Sequence, residues 1–178
     1  MKRGYAAIPL LGFVLLVILC AAPLLRGSDP SLVPSVMVGK HVRPFVLDAA
    51  LSDKPGLADT QLASGPSLVN FFSSWCLTCG AEHKLLLRIA AENKVPIYGI
   101  DYKDKKADIA AWITRHGNPY KAVGFDGEGR VAIDWGVYGV PETYIVDKNG
   151  VIDYRFVGPM TDDDYATIIR PRLEALQK

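Results

Sequence analysis

Cys76 and Cys79 stand two residues apart in LVNFFSSWCLTCGAEH, residues 68–83. An apolar run stops at Trp75 and the pair follows at once. Two such thiols can shuttle between dithiol and disulfide, supply half of a zinc site, or close an inert staple. Zinc needs two further ligands. The chain offers His41, His83 and His116 and no second paired motif, so no metal is expected. A staple across so short a loop constrains little of the unfolded chain. A redox pair is the strongest of the three readings, with no cofactor beyond the Cys76–Cys79 disulfide itself.

Where the pair sits decides its chemistry. SLVNFFS (67–73) reads as a buried strand. TCGAEHKLLLRIAAEN (78–93) reads as a helix whose Leu85, Leu86, Ile89 and Ala90 form one apolar stripe. The cysteines therefore lie where a central strand gives way to a helix. A helix N-terminus has unpaired N–H groups and partial positive charge, which stabilise a thiolate. Cys76, at the helix start, is expected to be open to a partner and to act as nucleophile. Cys79, one turn on, is expected to be shielded and to resolve the mixed disulfide.

Around this junction strands and helices alternate. RPFVLDA (43–49), VPIYGID (95–101) and KAVGFD (121–126) read as strands, and KKADIAAWITRHG (105–117) as a helix. TYIVDKNGVIDYRFVG (143–158) reads as a hairpin turning at Asn149-Gly150. TDDDYATIIRPRLEAL closes the chain as a helix capped by Thr161 and kinked at Pro171. This order predicts an α/β three-layer sandwich around a mixed sheet.

Ahead of the domain, no charge occurs from Tyr5 to Leu25, about the length that crosses a bilayer core. Lys2 and Arg3 precede the run, which puts the N-terminus in the cytoplasm and the rest across the membrane. An uncleaved signal-anchor over residues 1–26 is expected, then a Gly/Ser/Pro-rich tether over 27–35 and one domain over 36–178. Cleavage competes with it, although Cys20-Ala21-Ala22 is a poor processing site and Leu19 does not suit a lipoprotein. Cys20 falls inside the run, where it serves as a small apolar residue. Setting aside Lys2, Arg3 and Arg26 leaves 17 basic against 19 acidic residues, so no basic patch suggests nucleic acid.

FFSSWCLTC together with GVYGVPETYIVDKNG (136–150) resembles the thioredoxin fold. More closely, the chain resembles the membrane-anchored periplasmic thiol:disulfide interchange proteins of cytochrome c maturation, the DsbE/CcmG family. The specific pieces are WCxTCxxEH (75–83), DYKD (101–104), GNPY (117–120) and GVYGVPET (136–143). The resemblance implies a thioredoxin-like domain tethered to the bacterial inner membrane, facing the periplasm, and acting as a reductant. Its electrons would come from a DsbD/CcdA-like membrane thiol transporter. They would go to the CxxCH disulfide of apocytochrome c, or to a partner protein that handles those thiols. A monomer is expected.

The same resemblance makes Pro141 a cis-proline facing the active site, with the Val140 backbone placed for a substrate strand to pair with it. It makes Trp75 the packed flank of the motif. It makes Glu82 and Glu142 negative charges that oppose the helix dipole at Cys76, or accept the proton of Cys79. Asn70 stands six residues before Cys76, where ordinary thioredoxins carry a buried Asp, so the proton-accepting task passes to Glu82, Glu142 or water. His83 reads as a helix residue rather than a catalyst. Leu77 departs from the family's usual WCPTC. A general periplasmic reductase, a disulfide oxidase and a non-catalytic apocytochrome-binding module are the alternatives.

Overall fold

The computed structural model describes residues 7–25, 37–92 and 94–178. The chain divides into two compact units, Met1–Pro34 and Ser35–Lys178. The described part of the first is helix α1, Ala7–Leu25, 19 residues without a charge. Its residues 9 and 12–19 are exposed and Ala21 is half-buried. Among the described residues no helix is long and apolar enough to cross a membrane. The expected tether over 27–35 and the Cys20 side chain lie outside the described residues.

The second unit is built on a five-stranded mixed sheet. Its strands are β3 (Ser67–Phe72), β4 (Ile97–Tyr102), β5 (Ala122–Asp126), β6 (Glu142–Val146) and β7 (Ile152–Val157), in the order β5-β4-β3-β6-β7. The three strands joined by helices run parallel, and the hairpin adds β6 and β7 through antiparallel pairings. The hairpin turns where expected, with Gly150 at φ 76° and its N–H bonded to the Asp147 carbonyl.

Each face of the sheet has its own core. On one face Leu68, Phe72, Ile97 and Val123 pack against α3 (Leu77–Glu92) and α4 (Lys106–His116). The C-terminal helix covers the same face through Ile169 and Leu173. On the other face Val69, Phe71, Tyr98 and Tyr144 pack against the short helix α5 (Arg130–Trp135), whose Trp135 is fully buried. Because side chains alternate along a strand, neighbours such as Asn70 and Phe71, or Thr143 and Glu142, belong to opposite faces.

Four local features differ from the sequence reading. The strand expected over 43–49 shrinks to β1, Val46–Leu47, which pairs with β2, Leu57–Ala58, in a separate two-stranded sheet. The four-residue helix α2, Asp59–Leu62, follows β2. Helix α5 was not anticipated; it is six residues long and set between Gly129 and Gly136, both at positive φ. The final helix is α6 (Asp162–Asp164), a π-turn (Tyr165–Ile169) and α7 (Arg170–Leu176). Pro171 has no N–H to give and its ring crowds the carbonyl four residues back, so the wider turn just before it takes up the mismatch. Thr161 does cap the start, accepting from the Asp164 N–H at 3.2 Å.

Candidate active site

Strand β3 ends at Phe72, and Ser73, Ser74 and Trp75 lead into α3 at Leu77. Cys76 thereby occupies the cap position of α3. It is joined to Cys79 by a disulfide with an S–S distance of 2.09 Å. The Cys79 N–H, one of the orphan donors of the first turn, donates to Cys76 Sγ at 3.0 Å. The Thr78 hydroxyl lies 3.5 Å from the same sulfur. When the disulfide is reduced, these donors favour charge on Cys76 rather than on Cys79.

Cys76 is less open than its place at a helix start suggests. It is 5 % exposed, against 2 % for Cys79. The neighbours stand out instead: Trp75 is 59 % and Leu77 94 % exposed. Trp75, expected to flank the pair, stands largely exposed beside it. Its ring N–H donates to the Lys103 carbonyl at 3.1 Å, which ties the indole toward the β4–α4 loop.

The loop before β6 lies against the disulfide. The Val140–Pro141 peptide is cis, and the Val140 carbonyl oxygen lies 3.5 Å from Cys76 Sγ. Val140 is half-buried and Pro141 buried. Glu142 holds this loop from below. Its Oε1 accepts from the Tyr138 and Gly139 N–H groups at 3.1 and 3.3 Å. The same carboxylate takes a forked pair from Arg155, at 2.7 Å from Nε and 2.9 Å from Nη2. Both residues are buried. Glu142 is therefore no free negative charge beside Cys76: the guanidinium compensates it, and its side chain lies on the Phe71 face of the sheet. The role expected of it as a counter to the helix dipole does not fit this geometry.

Glu82 occupies the opposite face, one turn beyond Cys79 on the buried side of α3. Its Oε1 accepts from Asn70 Nδ2 and its Oε2 from the Met160 N–H, both at 2.9 Å. Asn70 is fully satisfied: its amide also donates to Thr143 Oγ1 at 3.0 Å, and its Oδ1 accepts from the Tyr120 hydroxyl at 2.9 Å. Tyr120 can reach it because Gly99 has no side chain, and a Cβ there would meet the Tyr120 ring at 3.1 Å. With only neutral donors around it, Glu82 is pushed up to about 7 by burial, against the smaller opposing pull of the Met160 and Asn70 hydrogen bonds. It can hold or release a proton near neutrality beneath Cys79.

His83 is buried and lies 3.0 Å from the Gly117 carbonyl, so its Nε2 carries the proton. Burial first, then the nearby His116, hold it below the ordinary histidine range, while the Gly117 bond opposes them. It staples α3 to the end of α4.

The structure thus brings Cys76, Cys79, Val140 and Pro141 together, sets Asn70 and Glu82 beneath them, and sends Glu142 to the far face. Sequence reasoning missed Arg155 and Tyr120. The Arg155 signal was present: hairpin pairing of Tyr144 with Arg155 sets Arg155 diagonal to Glu142. Tyr120 is the last residue of the GNPY stretch.

The Redoxin family model matches residues 37–169. The chain is 42 % identical over 151 residues to a DsbE homolog, a thiol:disulfide interchange protein, of Paracoccus denitrificans, covering 84 % of this chain and 83 % of that one. It is 39 % identical over 180 residues to the thiol:disulfide interchange protein DsbE of Vibrio cholerae, covering 99 % and 97 %. Among solved structures, it superposes on the thioredoxin domain of a thiol-disulfide oxidoreductase from Bacteroides vulgatus. The TM-score is 0.64 at 19 % identity, over 78 % of this chain and 99 % of that one. That likeness shares the fold, and the two sequence relatives share the function: this chain belongs to the DsbE family of thiol:disulfide interchange proteins, thiol–disulfide oxidoreductases built on a thioredoxin-like scaffold.

Proposed function

We propose that the protein reduces the CxxCH disulfide of apocytochrome c, or of a partner protein that handles those thiols. The observation that carries the reading is the Cys76–Cys79 disulfide at the start of α3, with an N–H aimed at Cys76 Sγ and the Val140 carbonyl beside it. In the dithiol form Cys76 is the thiolate. It attacks one sulfur of the substrate disulfide, and the other substrate sulfur leaves as a thiolate and takes up a proton. Cys79 then gives up its proton and attacks Cys76 Sγ. The second substrate sulfur leaves, so the substrate gains two electrons and two protons and Cys76–Cys79 is oxidised.

Glu82 is placed to take the Cys79 proton, being the titratable group beneath that residue. The Val140 carbonyl offers an acceptor to an extended substrate backbone. Electrons re-enter from a DsbD/CcdA-like membrane thiol transporter. With its thiolate only modestly favoured, the pair should sit closer to about −270 mV than to about −120 mV.

Residues 1–26 anchor the domain in the inner membrane, with the domain in the periplasm. This part of the proposal rests on the sequence, which carries no charge from Tyr5 to Leu25, about the 20 residues that a hydrocarbon core needs, with Lys2 and Arg3 ahead of it. One experiment tests both parts. Cys79→Ser should trap a mixed disulfide with an oxidised CxxCH peptide through Cys76, Cys76→Ser should not, and the adduct should be found in the membrane fraction. Equal trapping by both variants removes the assignment of roles. A soluble adduct whose chain begins near Pro23 or Arg26 removes the anchor.

A further inference from the structure

The DYKD stretch, Asp101–Asp104, has no part in the exchange described so far. Yet it borders the disulfide. Asp101 closes the buried part of β4, paired in register with Phe72 of β3 and Phe125 of β5. Its side chain is fully buried and takes no hydrogen bond from an N–H or hydroxyl donor among the described residues, while the Asp104 carboxyl lies close enough to share a proton with it. A carboxyl group so buried is costly to keep charged, and a proton shared with Asp104 relieves that cost.

The rest of the stretch grips the loop that carries Cys76. Asp104 Oδ2 accepts from the Ser74 N–H at 2.5 Å, and its Oδ1 lies 3.0 Å from the Ser74 hydroxyl. That Oδ1 also accepts from the Lys105 N–H at 2.7 Å. The Tyr102 carbonyl accepts from the Ser73 hydroxyl at 2.6 Å, and the Lys103 carbonyl from Trp75 Nε1. Lys103 itself sits at φ 47°, where non-glycine residues are uncommon. All three residues between β3 and Cys76 are thus fastened to residues 102–104.

We propose that Asp101 and Asp104 form a proton-dependent clamp that positions Cys76. With one proton on Asp101, Asp104 holds Ser74 and the Ser73–Trp75 loop keeps Cys76 buried against the Cys79 N–H. When that proton leaves, two facing carboxylates repel one another, Asp104 releases Ser74, and Cys76 becomes accessible. These are positioning residues for the thiol exchange proposed above; the clamp rests on that reaction and not on any particular substrate.

The surroundings set the proton's hold. Burial first, then the charge of Asp104, the hydrogen bond with its carboxyl and the charge of Asp126 push Asp101 up to about 8. Tyr120 faces it on the same side of the sheet, with Glu82 also acting on Tyr120. The nearby ammonium groups are drawn to rings, Lys103 over Tyr102 and Lys106 over Phe125. Near neutral pH the clamp is closed.

Alkylation of Cys76 by iodoacetamide in the reduced full-length protein, followed by mass spectrometry from pH 6 to 9.5, tests the clamp. In the unmodified protein the rate should show a step near pH 8 on top of the thiolate titration. Asp101→Asn, which cannot ionise, should lose that step. Asp104→Ala should alkylate about tenfold faster at pH 7, since its hydrogen bonds to the Ser74 N–H and hydroxyl no longer hold the loop. Asp104→Asn, which keeps one acceptor for Ser74, should recover most of the protection. If Asp104→Ala does not fold, Ser74→Ala removes one of the two contacts and should still accelerate alkylation severalfold. A step that persists in Asp101→Asn, or unchanged rates in the Asp104 and Ser74 variants, overturns the clamp. The assay needs no protein substrate, so failure to reduce a CxxCH peptide would sink the substrate reading while leaving this measurement to decide the clamp.

Discussion

On one face of the sheet Glu82 accepts from an amide and a backbone N–H, both neutral; on the other Glu142 accepts from a guanidinium and two backbone N–H groups. Both carboxylates are buried to the same degree. Burial alone therefore does not decide what a buried acid becomes. The charge of its partner does: a neutral shell makes Glu82 a proton-exchanging group, while Glu142 is tied into a buried ion pair with Arg155 that pins the loop carrying Val140. Two acids that look interchangeable in the sequence divide the work, one by titrating beneath the disulfide and one by holding the wall beside it.

The sharpest way to break this contrast is to remove the cation. Arg155→Met leaves Glu142 buried and uncompensated, and should cost about 3–5 kcal/mol of unfolding free energy in urea titrations. Adding Glu142→Gln to that variant should return a large part of the loss, because the uncompensated charge is then gone. A single variant that loses under 1 kcal/mol would mean that Glu142 does not depend on its partner.

The next effect belongs to Glu82 and is a dependence on pH. Its folded pKa of about 7 lies above its unfolded value of 4.5. Between these values the folded state holds a proton that the unfolded state has released, so stability falls as pH rises through that window and levels off above about 7. The shift corresponds to a drop of roughly 3 kcal/mol. Glu82→Gln should shrink the loss between pH 5 and pH 8 by about that amount. Urea titrations at the two pH values decide it; equal slopes in wild type and Glu82→Gln would remove Glu82 as a titrating group.

The smallest effect is on the thiol. At pH 8 an ionised Glu82 opposes the Cys76 thiolate, so Glu82→Gln should lower the apparent Cys76 pKa by about half a unit. Glu142→Gln should do so by less, its charge being already matched by Arg155. Thiolate absorbance at 240 nm across pH reads both. A larger shift from Glu142 than from Glu82 would reverse the division drawn here.

Much of this arrangement can be read from the chain, and the unread parts have physical causes. The strand–helix junction at the cysteines, the hairpin at Asn149-Gly150 and the Thr161 cap are local signals, and each lies where periodicity and turn chemistry put it. The partner of Glu142 is a matter of cross-strand register, and a strand residue such as Arg155 shows nothing in its own neighbourhood that distinguishes an ion pair from solvent. Helix α5 escaped because six residues are too few to show a period; its glycine stops were the available clue. The burial of Cys76 depends on loops 102–104 and 138–141, which meet it only in three dimensions. DYKD was visible as a motif and mute as to purpose, since its task lies in what it touches thirty residues away.

The alternation of Glu142 and Thr143 along β6 carries a consequence for how such a chain can vary. The two halves of the site are in antiphase on a single strand: Glu142 reaches Arg155 on one side, and Thr143 reaches Asn70 on the other. A residue gained or lost in the turn after Asp147 shifts only the tip of the hairpin. The same change between Pro141 and Thr143 would exchange the two addresses, presenting a hydroxyl to the guanidinium and a carboxylate to the amide. The PET stretch is therefore a reading frame as much as a set of side chains, and its length is as constrained as its composition.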